Sequence, residues 1–163
     1  MRKFTYCVIL LFISCDDIGR DYNWKGQESA GFVRKYGTLG YDYGWGATYS
    51  SFDDGIAIVG SRSPIIGSQK DLWLIKTDSF GNEEWSQTYG GSGSDLGKSV
   101  QQTLDGGYII TGSNRSTGDD DIWLLKTDNE GNEEWSQTFG GSGQDIGYCV
   151  QQTNDGGYII AGS

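Results

Sequence analysis

Histidine is absent from the 163-residue chain. That omission excludes imidazole general-base catalysis, histidine-activated nucleophiles and every metal site that needs a histidine ligand. Proline occurs once, at Pro64, so chain reversals must be made by other residues. Basic residues are scarce, 12 against 22 acidic ones, for a formal net charge of −10. A surface so charged repels phosphate backbones and argues against nucleic acid as a partner. The three cysteines imply no intramolecular disulfide framework, because each sits in a different setting. Cys7 lies inside an apolar run and Cys15 at its end. Cys149 stands where the preceding copy of a repeat has Ser99, and is expected to be a small buried residue rather than a reactive thiol.

What is present is repetition. DLWLIKTDSFGNEEWSQTYGG begins at Asp71 and DIWLLKTDNEGNEEWSQTFGG begins at Asp121, while SVQQTLDGGYIITGS ends at Ser113 and CVQQTNDGGYIIAGS at Ser163. The building block is therefore a unit of about fifty residues containing several short strands. Most of the 27 glycines fall at corresponding points of the units and punctuate turns. Within one unit, residues 71–77, 84–89, 99–103 and 108–112 read as strands: the apolar runs are short and lack a helical period. Asp78 to Asn82 and Asp105-Gly106-Gly107 supply the reversals, and the Gly-Gly-Ser-Gly segment from Gly90 is a connector. Every connection suits antiparallel neighbours.

Four antiparallel strands per repeated unit predict an all-β chain, a β-propeller of about three four-stranded blades. The blades are drawn at 31–61 (partial), 71–113 and 121–163, within a domain of 31–163. The aromatic and branched residues, Trp73 and Trp85 among them, are assigned to packing against the next blade. The ring closes only with further units, so the chain is expected to be the N-terminal part of a longer protein. Self-association that completes the ring is the alternative, and a β-solenoid would require shorter coils and parallel stacking.

The N-terminus has its own logic. Met1-Arg2-Lys3 is a positive n-region, and the apolar stretch 4–13 is too short to remain as a spanning helix, which together read as an export signal. Phe12-Ile13-Ser14-Cys15 resembles the lipobox of bacterial lipoproteins, with Phe12 where leucine is commonest. The resemblance implies a signal peptide of residues 1–14, lipid attachment at Cys15 and, through several acyl chains, durable membrane anchoring. Residues 15–30 are polar and aperiodic, a tether. Asp16-Asp17 comes directly after the lipidated position; the resemblance implies a sorting role for it that leaves the leaflet open, and the expected location is the outer membrane or cell surface.

The phrases DGGYIIxGS, DxWLxKxDxxGNxxW and T-[YF]-GGSGxD, running from Phe32 to Ser163, are similar to the repeat of secreted and lipid-anchored bacterial propeller proteins. The resemblance implies binding or scaffolding at the cell envelope, with a protein or glycan ligand and no common reaction. Fold alone does not name the ligand.

Candidate chemistry reduces to carboxylates and loops. Glu83-Glu84 and Glu133-Glu134 are adjacent on strands, so each pair should diverge to opposite faces and not serve as a glycosidase pair. Asp42, Asp95 and Asp145 recur after the glycine connector, and Asp105 and Asp155 open Asp-Gly-Gly turns; backbone hydrogen bonding explains all of them. Calcium held by clustered oxygens is the sharper alternative, with Asp119-Asp120-Asp121 the densest group, although no EF-hand spacing occurs. No other cofactor is expected. The segments that differ between units, 62–70 and 114–120, link one blade to the next and can diverge toward a ligand. Arg62, Asn114, Arg115, Asp119 and Asp120 are the candidate ligand-binding residues. Two functions are compatible with these residues: a binding or scaffolding module without catalysis, or a carbohydrate-binding or carboxylate-dependent carbohydrate-active protein whose site lies at the ring centre.

Overall fold

The computed structural model describes residues 34–37, 40–115 and 118–163. The expected signal peptide, Cys15 and the tether lie outside the described residues. Ten strands succeed one another and no helix occurs among the described residues: β1 (Asp42–Tyr49), β2 (Ile56–Arg62), β3 (Asp71–Thr77), β4 (Glu83–Tyr89), β5 (Leu96–Gln102), β6 (Tyr108–Asn114), β7 (Asp121–Thr127), β8 (Glu133–Phe139), β9 (Gly147–Gln152) and β10 (Tyr158–Gly162). They form two four-stranded antiparallel sheets, β1-β2-β3-β4 and β5-β6-β7-β8, and then the hairpin β9-β10. The all-β, antiparallel expectation holds.

The phase of the sheets corrects the spans drawn on the repeat. A sheet does not coincide with 71–113 or 121–163. It takes the Asp-Gly-Gly hairpin of one unit and the Trp hairpin of the next, so the sheets run 42–89 and 96–139. The physical reason lies in the two long connections. Residues 63–70 cross only to a hydrogen-bonded neighbour, Arg62 pairing with Asp71 across β2 and β3. Residues 90–95 carry the chain off β4 to the next sheet: Gly90 turns at φ 156°, a glycine conformation, and the Asp95 amide then donates to the Lys70 carbonyl at 2.6 Å. A repeat defines the length of the unit but not where the sheet breaks.

Strand alternation makes each sheet two-faced, and the sheets stack on those faces. Ala57, Val59, Leu72, Leu74 and Tyr89 of the first sheet meet Val100, Tyr108, Ile110, Trp123 and Leu125 of the second in one buried cluster, each large side chain contributing roughly 1.5–3 kcal/mol. Ile109 and Leu124, on the opposite face of the second sheet, meet Val150, Tyr158 and Ile160 of the hairpin. Trp85 and Tyr108 interlock edge to face across the first junction with centroids 6.0 Å apart, and Trp135 and Tyr158 repeat the contact across the second at 5.7 Å. Trp85 thus packs forward, as expected. Trp73 does not: it is buried with Ile58, Ile75 and Tyr36 on the other face of the first sheet, because odd and even residues of β3 point opposite ways.

Polar contacts repeat across the junctions as well. The Tyr89 hydroxyl donates to the Gly131 carbonyl at 2.5 Å, and Tyr36 does the same to Gly81 at 2.6 Å. Tyr36 thereby occupies the place of Tyr89 in an earlier, partial unit. Gln102 accepts from the Ser51 amide at 2.8 Å and Gln152 from the Leu104 amide at 2.9 Å. Cys149 is exposed, contrary to expectation. It lies beside Val150 on β9, and its counterpart Ser99 is shielded by the next hairpin, whose Val150 amide approaches the Ser99 hydroxyl at 3.4 Å; no described strand covers Cys149 in that way.

Each four-stranded sheet also buries a lysine. The Lys126 side chain is only 2% exposed, and its ammonium reaches Glu134 at 2.8 Å, Asp105 at 3.0 Å and the Thr127 carbonyl at 2.8 Å. Lys76 repeats this with Glu84 at 2.7 Å, Asp53 at 2.6 Å and the Thr77 carbonyl at 2.9 Å. The convergence depends on a β-bulge. Lys126 pairs with Trp135 and Thr127 with Glu133, leaving Glu134 the extra residue turned toward the lysine; Glu84 is placed the same way. The adjacent glutamates are therefore structural ligands of an ammonium. Burial would lower the Lys126 pKa, but the hydrogen bonds it donates to Glu134 and Asp105 outweigh it and hold the group above the ordinary lysine value.

Asp105 is held down to about 2, first by the Thr103 hydroxyl at 2.5 Å, against the cost of desolvation, and then by the Gly107 amide and Lys126. A carboxylate depressed below its ordinary 3.8 contributes stability that is present above that value and is lost as pH falls through about 2. Thr103→Val removes the first cause. We expect it to cost about 0.5–1 kcal/mol at neutral pH, modest because Asp105 is exposed, and to move the acid-unfolding midpoint, monitored by tryptophan fluorescence, to higher pH. An unmoved midpoint would mean that this turn does not govern acid stability.

Candidate ligand-binding face

The strands β1, β5 and β9 lie side by side as the leading edges of the three sheets. Each carries a bulge at the same place. Gly44 pairs with Gly60 and Gly46 with Val59, leaving Trp45 extra; Gly97 pairs with Gly112 and Ser99 with Thr111, leaving Lys98 extra; Gly147 pairs with Gly162 and Cys149 with Ala161, leaving Tyr148 extra. The glycines opposite make the bulge possible. A Cβ on Gly60 would lie 1.7 Å from the Tyr43 carbonyl oxygen, and one on Gly112 would lie 1.7 Å from that of Leu96. The backbones approach closer than any side chain allows.

The bulge presents Trp45, Lys98 and Tyr148; between the closely copied β5 and β9 it is the largest difference, while β1 diverges from both at most positions. Trp45 is 52% exposed and Tyr148 53%. The Lys98 ammonium lies 3.5 Å from the centroid of the Trp45 ring, and Tyr43 stacks beside Trp45 with centroids 6.1 Å apart and planes 13° from parallel. Lys70, at the end of the loop before β3, places its ammonium 4.4 Å from the centre of Tyr43. Tyr41 continues the exposed aromatic edge. Neither Lys70 nor Lys98 has a carboxylate within ion-pair distance among the described residues, in contrast with Lys76 and Lys126. Burial, and then the neighbouring Lys70, push the Lys98 pKa down. The result is a cationic, aromatic spot on a strongly acidic chain.

The sequence-predicted residues occupy the adjoining loops and mostly brace them. Arg62 ends β2 with its guanidinium 4.8 Å from the centre of the Trp73 ring. Asn114 ends β6 opposite Asp121 in the ladder. Arg115 donates its amide to Asp95 at 3.1 Å, and its side chain lies 3.6 Å from Asp120. Asp120 also accepts from Gln144 at 3.2 Å, while its carbonyl receives the Asp145 amide at 2.6 Å. Asp119 is exposed. These five residues are not gathered into one pocket. The Asp119-Asp120-Asp121 run does not converge either, and among the described residues no group of three or more carboxylate, cysteine or histidine side chains is placed to hold a metal ion.

Asp95 and Asp145 secure the glycine connectors as the repeat suggests, accepting from the Gly91 and Gly141 amides at 2.9 and 3.0 Å. Burial, with Asp95 nearby, raises the pKa of Asp71. Asp121 and Asp145 lie in the corresponding places of the next sheet, both close to Gly140, so this pair too is a feature of the unit.

Sequence reasoning misses the bulge. The signal is there: after each D-x-G the units read Trp45, Lys98 and Tyr148, a difference inside a repeated strand pattern and not in a loop. Only Lys70 of the face falls within a segment already singled out as variable. No protein-family model matches the chain, and no curated protein matches it.

Because Gly112 permits the bulge that projects Lys98, Gly112→Ala must displace the Leu96 carbonyl or the bulge itself. We expect a loss of about 1–3 kcal/mol in urea denaturation. A loss below about 0.5 kcal/mol, the level of an ordinary surface substitution, would show that the strands do not approach so closely.

Proposed function

We propose that the chain is a binding or scaffolding module of the bacterial cell envelope, a β-propeller tethered by lipid on Cys15 and without catalysis of its own. The observation that carries the binding role is the row of unlike, outward bulge residues, Trp45, Lys98 and Tyr148, on three leading strands that share the same bulge. Structural positions repeat in this chain, and a position that repeats in backbone but not in side chain is free to serve a ligand. The stacking of two-faced sheets, each offset by one unit, supports the propeller architecture, since continued stacking of such blades leads around an axis lined by their first strands. Exposed tryptophan and tyrosine beside cations supply a broad contact surface with little rotamer freedom to lose. The absence of catalysis is argued from the carboxylates, whose close groupings neutralise a buried lysine or fasten a connector. Export and lipidation rest on the lipobox-like Phe12-Ile13-Ser14-Cys15 and are compatible with a ligand outside the cytoplasm.

Two measurements test this. In a bacterial host, labelled palmitate should enter the wild-type protein and not Cys15→Ser, which should leave the membrane fraction; label retained by the variant would refute anchoring at this residue. Unlipidated full-length protein carrying Cys15→Ser should co-sediment with isolated envelopes. The double change Trp45→Ala with Tyr148→Ala should weaken that association by about tenfold or more, the loss expected when central aromatic anchors are truncated. Unchanged sedimentation would remove the bulge row from the binding role.

A further inference from the structure

We infer that the bulge face binds a uronate polysaccharide, a glycan whose negative charge is a carboxylate carried directly on the sugar ring. The inference rests on the binding role proposed above and names its ligand class. Lys98 and Lys70, both half-buried, come together on one face, each over an aromatic ring and neither within ion-pair distance of a carboxylate among the described residues. The two fully buried lysines, in contrast, each engage two carboxylates. Among the described residues, many of which are acidic, none places a carboxylate within ion-pair distance of these two cations. An anionic ligand supplies what the protein withholds.

The rings define the rest of the ligand. Trp45 and Tyr43 form a nearly parallel pair with half of the Trp45 surface open, and Tyr148 adds an exposed ring on β9, the leading strand on the far side of β5. Such surfaces accept the flat C–H face of a pyranose. Lys98 sits 3.5 Å from the Trp45 centroid, so the charge it meets must lie close to the stacked face. A carboxyl group on the ring carbon meets that condition, whereas a sulfate ester stands farther out on an oxygen. On binding, Lys98 exchanges a weak contact with an exposed ring for a charge-assisted hydrogen bond.

Affinity electrophoresis of the full chain carrying Cys15→Ser tests the class, with gels containing polygalacturonate, its methyl ester or dextran sulfate. Polygalacturonate should retard the protein at least about tenfold more strongly than its uncharged ester, and added salt should weaken the effect. Lys98→Met and Lys70→Met should each reduce retardation by about tenfold, in keeping with loss of a charged hydrogen bond. Lys98→Arg should keep most of it, and Trp45→Ala should abolish it. Urea denaturation of each variant establishes that it is folded. Equal retardation by the ester, stronger retardation by dextran sulfate, or retardation unaffected by Lys98→Met would overturn the inference. So would no retardation by any polymer. Trp45-dependent co-sedimentation with envelopes, without retention by polygalacturonate, would overturn this ligand class alone; absence of co-sedimentation would remove the binding role with it.

Discussion

The fold depends on one constraint: every sheet is apolar on both faces and cannot be stable until each face is covered by another sheet. Leu72 and Leu74 look forward from β3 while Trp73 and Ile75 look back, and Leu124 and Trp123 divide in the same way on β7. No single sheet can satisfy both directions by itself. Stacking at intervals of one repeat is the solution, and it dictates the contacts between sheets. The forward face of one sheet must fit the backward face of the next, so Trp85 must meet Tyr108 just as Trp135 meets Tyr158. The leading strands are brought together by the same requirement: Gly97 packs so closely on Val59 and the Gly60 carbonyl that a Cβ would collide with both.

The buried lysines show how the same architecture handles charge. Removing an ammonium from water carries a desolvation penalty of several kcal/mol, yet Lys76 and Lys126 are both buried at the turn end of a Trp hairpin. They remain charged because each has two carboxylates and a carbonyl arranged around it, one carboxylate from the Asp-Gly-Gly turn of the preceding unit, or its counterpart in the first, and one from a bulge in the adjoining strand. The cluster ties three strands of one sheet together. Since its members come from two consecutive sequence units, it also fixes the phase of the sheet: Asp105 and Lys126 can meet only if the turn of one unit and the first strand of the next belong to the same sheet. A sheet confined to 71–113 would separate them.

That phase is the part of the fold that sequence periodicity does not disclose. The strands are legible with small shifts, because alternating apolar residues and Gly-bearing turns are local signals. The break between sheets is not local. Residues 63–70 and 90–95 are both polar and turn-rich, and nothing in their composition says which one joins paired strands and which one leaves the sheet. The roles of Asp95 and Asp145 are readable because a carboxylate beside glycines has an obvious backbone use. Glu84 and Glu134 escape a reading based on alternation for a definite reason: strict alternation sends neighbours to opposite faces, and a bulge breaks it at the residue concerned. Cys149 departs from its expected burial because burial belongs to the sheet stacked on a strand and not to the strand itself.

The bulges on β1, β5 and β9 bring the structural and functional arguments to the same residues. In a repeat, selection for packing acts alike on every copy, so agreement between copies marks a position that the fold requires. The glycines flanking and facing the bulge agree, at Gly44, Gly97 and Gly147 and at Gly60, Gly112 and Gly162. The residue they lift out of the ladder does not. Trp45, Lys98 and Tyr148 share a backbone role while differing in charge and shape, so the common stacking does not dictate their identity. A bulge residue has no cross-strand partner and its side chain is released from the sheet's alternation. It can change without cost to the stacking that holds the chain together, and neighbouring copies can combine their differences into one surface. Variable loops offer the same freedom with less rigidity: Arg115 and Asp120, which diverge between units as ligand residues would, are engaged in holding their own loop to Asp95 and Gln144. In this architecture a side chain gains both freedom to vary and a fixed place from which to act where a rigid strand carries one residue more than its partner.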